Sequence, residues 1–484
     1  MDNTLAEPLE AKINTTQKSM RDRPVRWAIL FFTCFFIMSR YYNFDVPQGI
    51  QKALQAELEL TPIQYNLLYT VYAVPNIVWP LFAGATIDKI GCRLSVLIFG
   101  SFVVFGQLFF TIGCYAKSFA MLIIGRMILG IGGEAIVVIK VPIVARWFRP
   151  HEQGLATGVM FAACRCGSIL QGSMTPFIYK TSESIGLAGA AGAIFAAISL
   201  TSGLLWIVFD KKAEDYDKSQ NIPRERELNL ASIRESDAGN MDAARLKKIF
   251  TPLLLVMAIN AGLICGTLYT FLGNANKYLQ ERAGLSGEAA GQYISILYVL
   301  SMALSLVFGK LVDIFGRRAH GVTIASSIAT ISFAMFLLLP DCSGCSTFLF
   351  PMLLLGVTLA LWAACLFPSI TLASKANVVG TSMGFVNIVI NIFQAVYPLI
   401  GGGVQKDSSE YEHGYYWPVF CYLVGAVGAI VSGVLITLFD KKKLLNAKNV
   451  AKNLPSIKLS GEYKFEDAPS SMDQGISHSA VNSS

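Results

Sequence analysis

The chain has 484 residues, 54% of them hydrophobic and only 15% charged, where an average soluble chain carries about 25% charge. Its 39 basic and 32 acidic residues leave a net charge of +7, yet so few charges exclude a large soluble enzyme, a disordered chain and a nucleic-acid binder. The composition is that of an integral membrane protein, and what matters is where its few charges lie.

A membrane-crossing helix needs about 20 mostly apolar residues. Twelve such spans are predicted, near 26–45, 66–86, 94–114, 119–142, 154–178, 187–209, 251–273, 289–308, 321–339, 347–370, 381–402 and 417–439. Residues 1–25 are polar, with no apolar run before Trp27, so no cleavable signal peptide is expected. Between spans 6 and 7, residues 211–248 hold nine basic and eight acidic side chains and read as a solvated linker with one surface helix near Asp242–Lys248. After Asp440 the chain is Lys-rich, then Ser-rich, a composition expected to be disordered. The expected division is an N-terminal segment 1–25, a six-helix bundle 26–210, a linker 211–249, a second six-helix bundle 250–440 and a tail 441–484. An even number of spans puts both termini and the linker on one side, and their Lys and Arg excess predicts that side to be cytoplasmic.

Cys342 and Cys345 form a C-x-x-C in the loop after span 9. Zinc would need a second ligand pair that four histidines in the whole chain do not supply, so no metal and no cofactor is expected. A disulfide or two free thiols are the ordinary readings.

An internal repeat is the strongest single signal. Gly84, Asp88, Gly91 and Arg93 after span 2 recur as Gly309, Asp313, Gly316 and Arg318 after span 8, all at an offset of 225 residues. The glycines suit a tight turn, and each Asp can pair with basic groups at a neighbouring helix end. The two halves are therefore expected to be pseudo-symmetric.

With its G-x-x-x-D-x-x-G-x-R loop in both halves, the sequence resembles the major facilitator superfamily. The first copy departs from the family pattern in placing Cys92 where a basic residue is usual, and Gly125-Arg126 through Gly130-x-Gly132 in span 4 is similar to a second family pattern. The resemblance implies an all-α fold of twelve transmembrane helices in two six-helix pseudo-symmetric bundles. It further implies that Asp88, Arg93, Arg126, Asp313, Arg317 and Arg318 serve conformational coupling. A narrower resemblance rests on Asp45-Val-Pro47, Leu68-Tyr69, Pro75-Asn76, Gly132-Gly133-Glu134, Trp147-Phe148, Arg165-x-Gly167-Ser168, Leu366-Phe-Pro368 and Gly380-Thr381. These are similar to a lysosomal, dipeptide-transporting branch of that superfamily. Dipeptide uniport, a lysosomal membrane location and a glycosylated single-span accessory subunit are what this second likeness implies.

Charges inside a span cost a few kcal/mol and line a cavity or pair with one another. Glu134 lies 13 residues before Trp147 and Arg165 lies 13 residues after Glu152, so at 1.5 Å per residue both sit about 20 Å from the same surface. A substrate site between halves is expected at that depth. Arg165 could clamp a carboxylate and Glu134 an ammonium, the two groups of a peptide; a structural Glu134–Arg165 ion pair is the alternative. Asn387, Asn391 and Gln394 share one face of span 11 and either line the cavity or bond between helices. Tyr69, Tyr72, Tyr269 and Tyr298 are candidate cavity aromatics; of these Tyr69 and Tyr298 join Glu134, Arg165, Asn387 and Asn391 as expected substrate-binding residues.

All four histidines fall outside the spans and no phosphate-binding G-x-x-x-x-G-K-[ST] loop is present. Glu134 and Asp45 remain as possible proton carriers, and uncoupled transport is favoured. A proton-coupled carrier of an organic anion or sugar, and a non-transporting receptor or scaffold on this fold, are the other hypotheses. Enzyme activity has no support. Asp440 with Leu444-Leu445 fits an acidic-dileucine sorting spacing, and the N-glycosylation sequons at Asn14 and Asn482 fall on segments expected to be cytoplasmic.

Overall fold

The computed structural model describes residues 19–148, 150–220, 251–374, 379–405, 414–440 and 445. Thirteen α-helices form the described chain: α1 (Val25–Gly49), α2 (Gln51–Glu57), α3 (Pro62–Ala73), α4 (Trp79–Tyr115), α5 (Phe119–Trp147), α6 (Pro150–Ser182) and α7 (Ile185–Ser219) in the first half. The second half holds α8 (Pro252–Arg282), α9 (Gly287–Phe315), α10 (Arg318–Leu338), α11 (Leu349–Ala373), α12 (Val379–Val404) and α13 (Tyr416–Phe439). The fold is all-α among the described residues, with six crossings in each half.

Among the described residues, nine helices are long and apolar enough on their own to cross a membrane. The three crossings outside that set are α1, which carries Arg40 and Asp45, α6, which carries Arg165, and span 2, which is not one helix. Span 2 was expected to be continuous over 66–86. Instead α3 ends at Ala73 and a 3₁₀ turn, Val74–Ile77, intervenes before α4, because Pro75 has no N–H to continue the α-helical ladder. Span 2 resumes in the first turns of α4, which then bends at Gly91, where φ is +79°. Gly316, the repeat's counterpart, caps α9 with φ +72°. Both copies of the repeat thus place glycine where a side chain would be strained.

Helix starts follow local chemistry. Thr61 and Gln64 form a reciprocal capping box ahead of α3, with Pro62 in its first turn. The side chains of Ser184, Thr251 and Ser286 accept backbone N–H bonds in the first turns of α7, α8 and α9.

Within each half the same neighbours pack: α1 on α6 and α7 in the first, α8 on α12 and α13 in the second. Between halves α3 meets α12 and α6 meets α9, the second crossing against the eleventh and the fifth against the eighth. Large apolar side chains such as Leu306, Leu338 and Leu438 face outward, as a lipid-facing surface requires.

One end of the bundle, the near end, gathers residues 19, 220, 251 and 440; the far end carries the α1–α3, α8–α9 and α12–α13 connections. Hydrogen bonds join the halves in the far part. Gln51 Nε2 donates to Asn274 Oδ1 at 2.8 Å, and Asn274 Nδ2 donates to Asn66 Oδ1 at 2.9 Å. The Tyr65 hydroxyl donates to the Gly273 carbonyl at 2.7 Å, and Lys180 Nζ to Glu288 Oε2 at 2.6 Å. Gly172 lies so close to Gly291 that a Cβ on Gly291 would meet the Gly172 carbonyl at 2.1 Å. The two halves are latched to each other at the far end. There Cys342 and Cys345 are joined as a disulfide, and Arg282 pairs with Asp341 in the same loop.

At the near end, Asp210 at the close of span 6 is fully buried. It accepts from Arg93 Nε at 2.7 Å and from the Trp147 indole N–H at 3.1 Å, with Arg146 at 3.5 Å and Arg21 at 3.6 Å. Arg93 also donates to Glu214 at 2.6 Å, on a part of α7 that runs to Ser219, into what the composition marked as linker. In the second half, the Arg318 N–H donates to the Leu445 carbonyl and the Leu445 N–H to Asp440 Oδ2, both at 2.9 Å. Leu445, the last residue of the acidic-dileucine spacing, is wholly buried. Arg317 begins α10 with a left-handed φ of +36°. The side chains of Asp88 and Asp313, the 242–248 helix, Leu444, Asn14 and Asn482 lie outside the described residues.

Candidate substrate-binding site

The candidate site lies where α1, α3, α5 and α6 of the first half face α8 and α9 of the second. Glycines bring the first-half helices together: a Cβ at Gly130 would sit 2.4 Å from the Tyr72 carbonyl, and one at Gly167 2.4 Å from the Met38 carbonyl. The α5 glycine pattern therefore lets α3 approach closely, and Gly167 does the same for α1 on α6.

Glu134 pairs with Arg40 of α1, and its Oε1 also accepts from the Tyr72 hydroxyl at 3.2 Å. Both members of the pair are mostly enclosed, at 13% and 18% side-chain exposure. The alternative of a Glu134–Arg165 ion pair is thus replaced by a different partner on a different helix. Arg40 further lies over the ring of Tyr41 at 4.4 Å, with Phe44 at 5.5 Å and Tyr72 at 5.7 Å.

Arg165 keeps no ion-pair partner among the described residues. Its Nη1 donates to the Tyr269 hydroxyl across the interface at a long 3.5 Å, and its guanidinium lies 5.8 Å from the Tyr298 ring. Tyr41 and Tyr269 are electrostatic neighbours of both Arg40 and Arg165, so the two arginines belong to one cluster. Asp45, only 4% exposed, has Ser168 as its hydrogen-bonding neighbour and lies within reach of Arg40, Arg126 and Arg165.

Arg126 is fully buried and spends its guanidinium on backbone: Nε donates to Leu68 O at 3.2 Å and Nη1 to Asn43 O at 3.1 Å. It ties α3 and α1 to α5 beneath the rings of Phe44, Tyr69 and Tyr72. Tyr69 stacks beside Arg126 and against Gly273 and its hydroxyl lies 3.3 Å from that of Tyr65, which places it at the far latch. Tyr298 is buried beside Arg165. Asn391 is buried and turns its Nδ2 to the Asn387 carbonyl of its own helix at 2.9 Å, while Asn387 itself is exposed. The three-amide face of α12 therefore splits, with only Asn391 buried and Gln394 half-buried.

Arg40 and Asp210 are the polar groups the sequence left unassigned. Arg40 was visible as an intramembrane charge, but its pairing depends on helix rotation, which spacing along one helix does not reveal. Asp210 stood next to a lysine pair as the last residue of the first bundle and was given no role. Among the described residues, no group of His, Cys, Asp and Glu has metal-site geometry.

Residues 28–398 match the Major Facilitator Superfamily family model, and the chain belongs to that superfamily: it is a multi-pass membrane transporter. The chain is similar to the lysosomal dipeptide transporter MFSD1 of Bos taurus, 27% identical over 452 residues that cover 90% of each chain. It is also similar to MFSD1 of Homo sapiens, 27% identical over 450 residues and again 90% of each. In fold it is similar to the inward-open xylose transporter XylE from E. coli, with a TM-score of 0.67, 14% identity, and 87% and 98% of the two chains covered.

Proposed function

We propose that the protein is a dipeptide transporter working by alternating access, with Glu134 holding the substrate's ammonium and Arg165 its carboxylate. The observation that carries this reading is the pair of opposite charges on α5 and α6, with Arg165 making no direct ion pair among the described residues. A guanidinium with no direct salt bridge, and with Asp45 as its nearby acid, is set to receive a second carboxylate from a ligand. The similarity to MFSD1 supports dipeptides as the substrate class and the lysosomal membrane as the location. Uniport from lumen to cytosol, cytoplasmic termini and a glycosylated single-span accessory subunit belong to the same reading. Tyr298 flanks the carboxylate end, and Asn391 lines the second half. Arg93, Arg317 and Arg318 act at the near-end hinges with Asp88 and Asp313.

A second reading, proton-coupled carriage, is favoured by Asp45, a buried carboxylate beside Arg40 and Arg165. Uptake of labelled dipeptides into proteoliposomes, with and without a pH gradient, separates the two. Each of Glu134→Gln and Arg165→Ala should lower uptake about 10- to 100-fold, the scale of one lost charge-assisted hydrogen bond. Dipeptide uptake that neither substitution changes would remove the site assignment. Absence of dipeptide uptake by the unaltered protein would remove the function.

A further inference from the structure

Glu134 does not wait empty for a cation. The Arg40 guanidinium already fills a box made by the Glu134 carboxylate, the Tyr72 hydroxyl and the rings of Tyr41, Phe44 and Tyr72. Gly133 makes room for it, since a Cβ there would meet Arg40 Cγ at 2.9 Å and the Tyr72 hydroxyl at 2.8 Å. A carboxylate with aromatic walls is the chemistry that recognises an organic cation.

We propose that Arg40 is a tethered competitor for the substrate's ammonium, occupying Glu134 in the empty carrier and released from it when a peptide binds. The inference deepens the reading of Glu134 as the ammonium site and rests on it. Release does not strand the guanidinium: Asp45 lies within its electrostatic reach and the Tyr41 face is already against it. The consequence is selectivity. An amine alone would have to displace Arg40 without gaining anything at Arg165, whereas a ligand carrying both an ammonium and a carboxylate recovers the cost at the second site. The same pair keeps Glu134 from being a bare charge while the empty carrier reorients.

The test is binding of alanyl-alanine and N-acetyl-alanyl-alanine to the purified full-length protein by calorimetry. If Arg40 holds Glu134 in about nine-tenths of empty carriers, its removal strengthens apparent affinity about tenfold. Arg40→Gln should therefore bind the free dipeptide about tenfold more tightly, leave the acetylated one unchanged, and give no gain when combined with Glu134→Gln. Unchanged or weaker binding of the free dipeptide by Arg40→Gln would overturn the proposal. Arg40→Lys keeps the charge but loses the planar fork, so it should show a smaller gain. Should Arg40→Gln fail to fold, Arg40→Lys decides the question by the same criterion. Failure of the underlying reading looks different: the unaltered protein would then bind both peptides alike, and the competitor role falls with it.

Discussion

Gly130 has the tightest neighbour among the α5 glycines, the Tyr72 carbonyl at 2.4 Å from where a Cβ would stand. A backbone carbonyl cannot rotate away as a side chain can, so Gly130→Ala forces α3 and α5 apart, at a cost of about 1–3 kcal/mol for overpacking. The expected outcome is a lower melting temperature in detergent for Gly130→Ala and no change for Gly158→Ala, whose Cβ would meet nothing within 4 Å. This degree of detail was half legible in the sequence. Counting residues put Glu134 and Arg165 at one depth, while the span 4 glycines stood out only as a family pattern and not as a packing surface. What occupies Glu134 was not legible, because Arg40 sits 94 residues earlier and only the rotation of α1 turns it toward α5.

Among the elements, α7 shows how a helix end becomes a junction. Its Asp210 gathers Arg21 from the N-terminal segment, Arg93 from α4, and Arg146 and Trp147 from α5. Replacing it by Asn keeps an acceptor for the indole but leaves three guanidinium groups without their shared charge. Breaking a buried pair in this way costs about 3–5 kcal/mol, so Asp210→Asn should lose thermal stability and show faster proteolysis of the near end, read by limited trypsin digestion. The repeat at Gly91 and Gly316 was found from spacing alone, and both glycines adopt the positive φ that spacing implied. The break at Val74–Ile77 was missed because apolar composition runs straight through it, and only Pro75 marked the spot.

The far end holds the whole molecule closed through amides, hydroxyls, the Lys277–Gln55 bond and the solvent-screened Lys180–Glu288 pair, and Lys277 keeps Glu281 as a partner when its bond across the halves parts. Alternating access requires these bonds to part. Ser173 and Ser295 face each other across the halves with their hydroxyls 3.2 Å apart, within reach of a disulfide if both are changed to cysteine. Ser173→Cys combined with Ser295→Cys should transport normally under reducing conditions and stop on oxidation, with recovery on adding reductant. Persistent uptake by the cross-linked protein would mean that the far end does not open. That the chain forms two six-helix halves was readable from hydropathy, charge and the repeat. Which end is latched was not, since it depends on contacts between residues such as Gln51 and Asn274, 223 positions apart.

Two of the helices that hold the candidate site's charges, α1 and α6, are also crossings that do not rank among the nine that, among the described residues, are apolar enough to cross on their own. During synthesis such a segment partitions poorly, because an Arg or Asp at a helix centre opposes insertion by about 2.5–3.5 kcal/mol. Arg40 and Asp45 emerge well before their partners Glu134 and Ser168, and α6 brings Arg165 before the second half exists to supply Tyr269. Biogenesis must therefore shelter these helices until later ones arrive. Membrane insertion, and not only transport rate, sets a limit on how many charges these helices can carry.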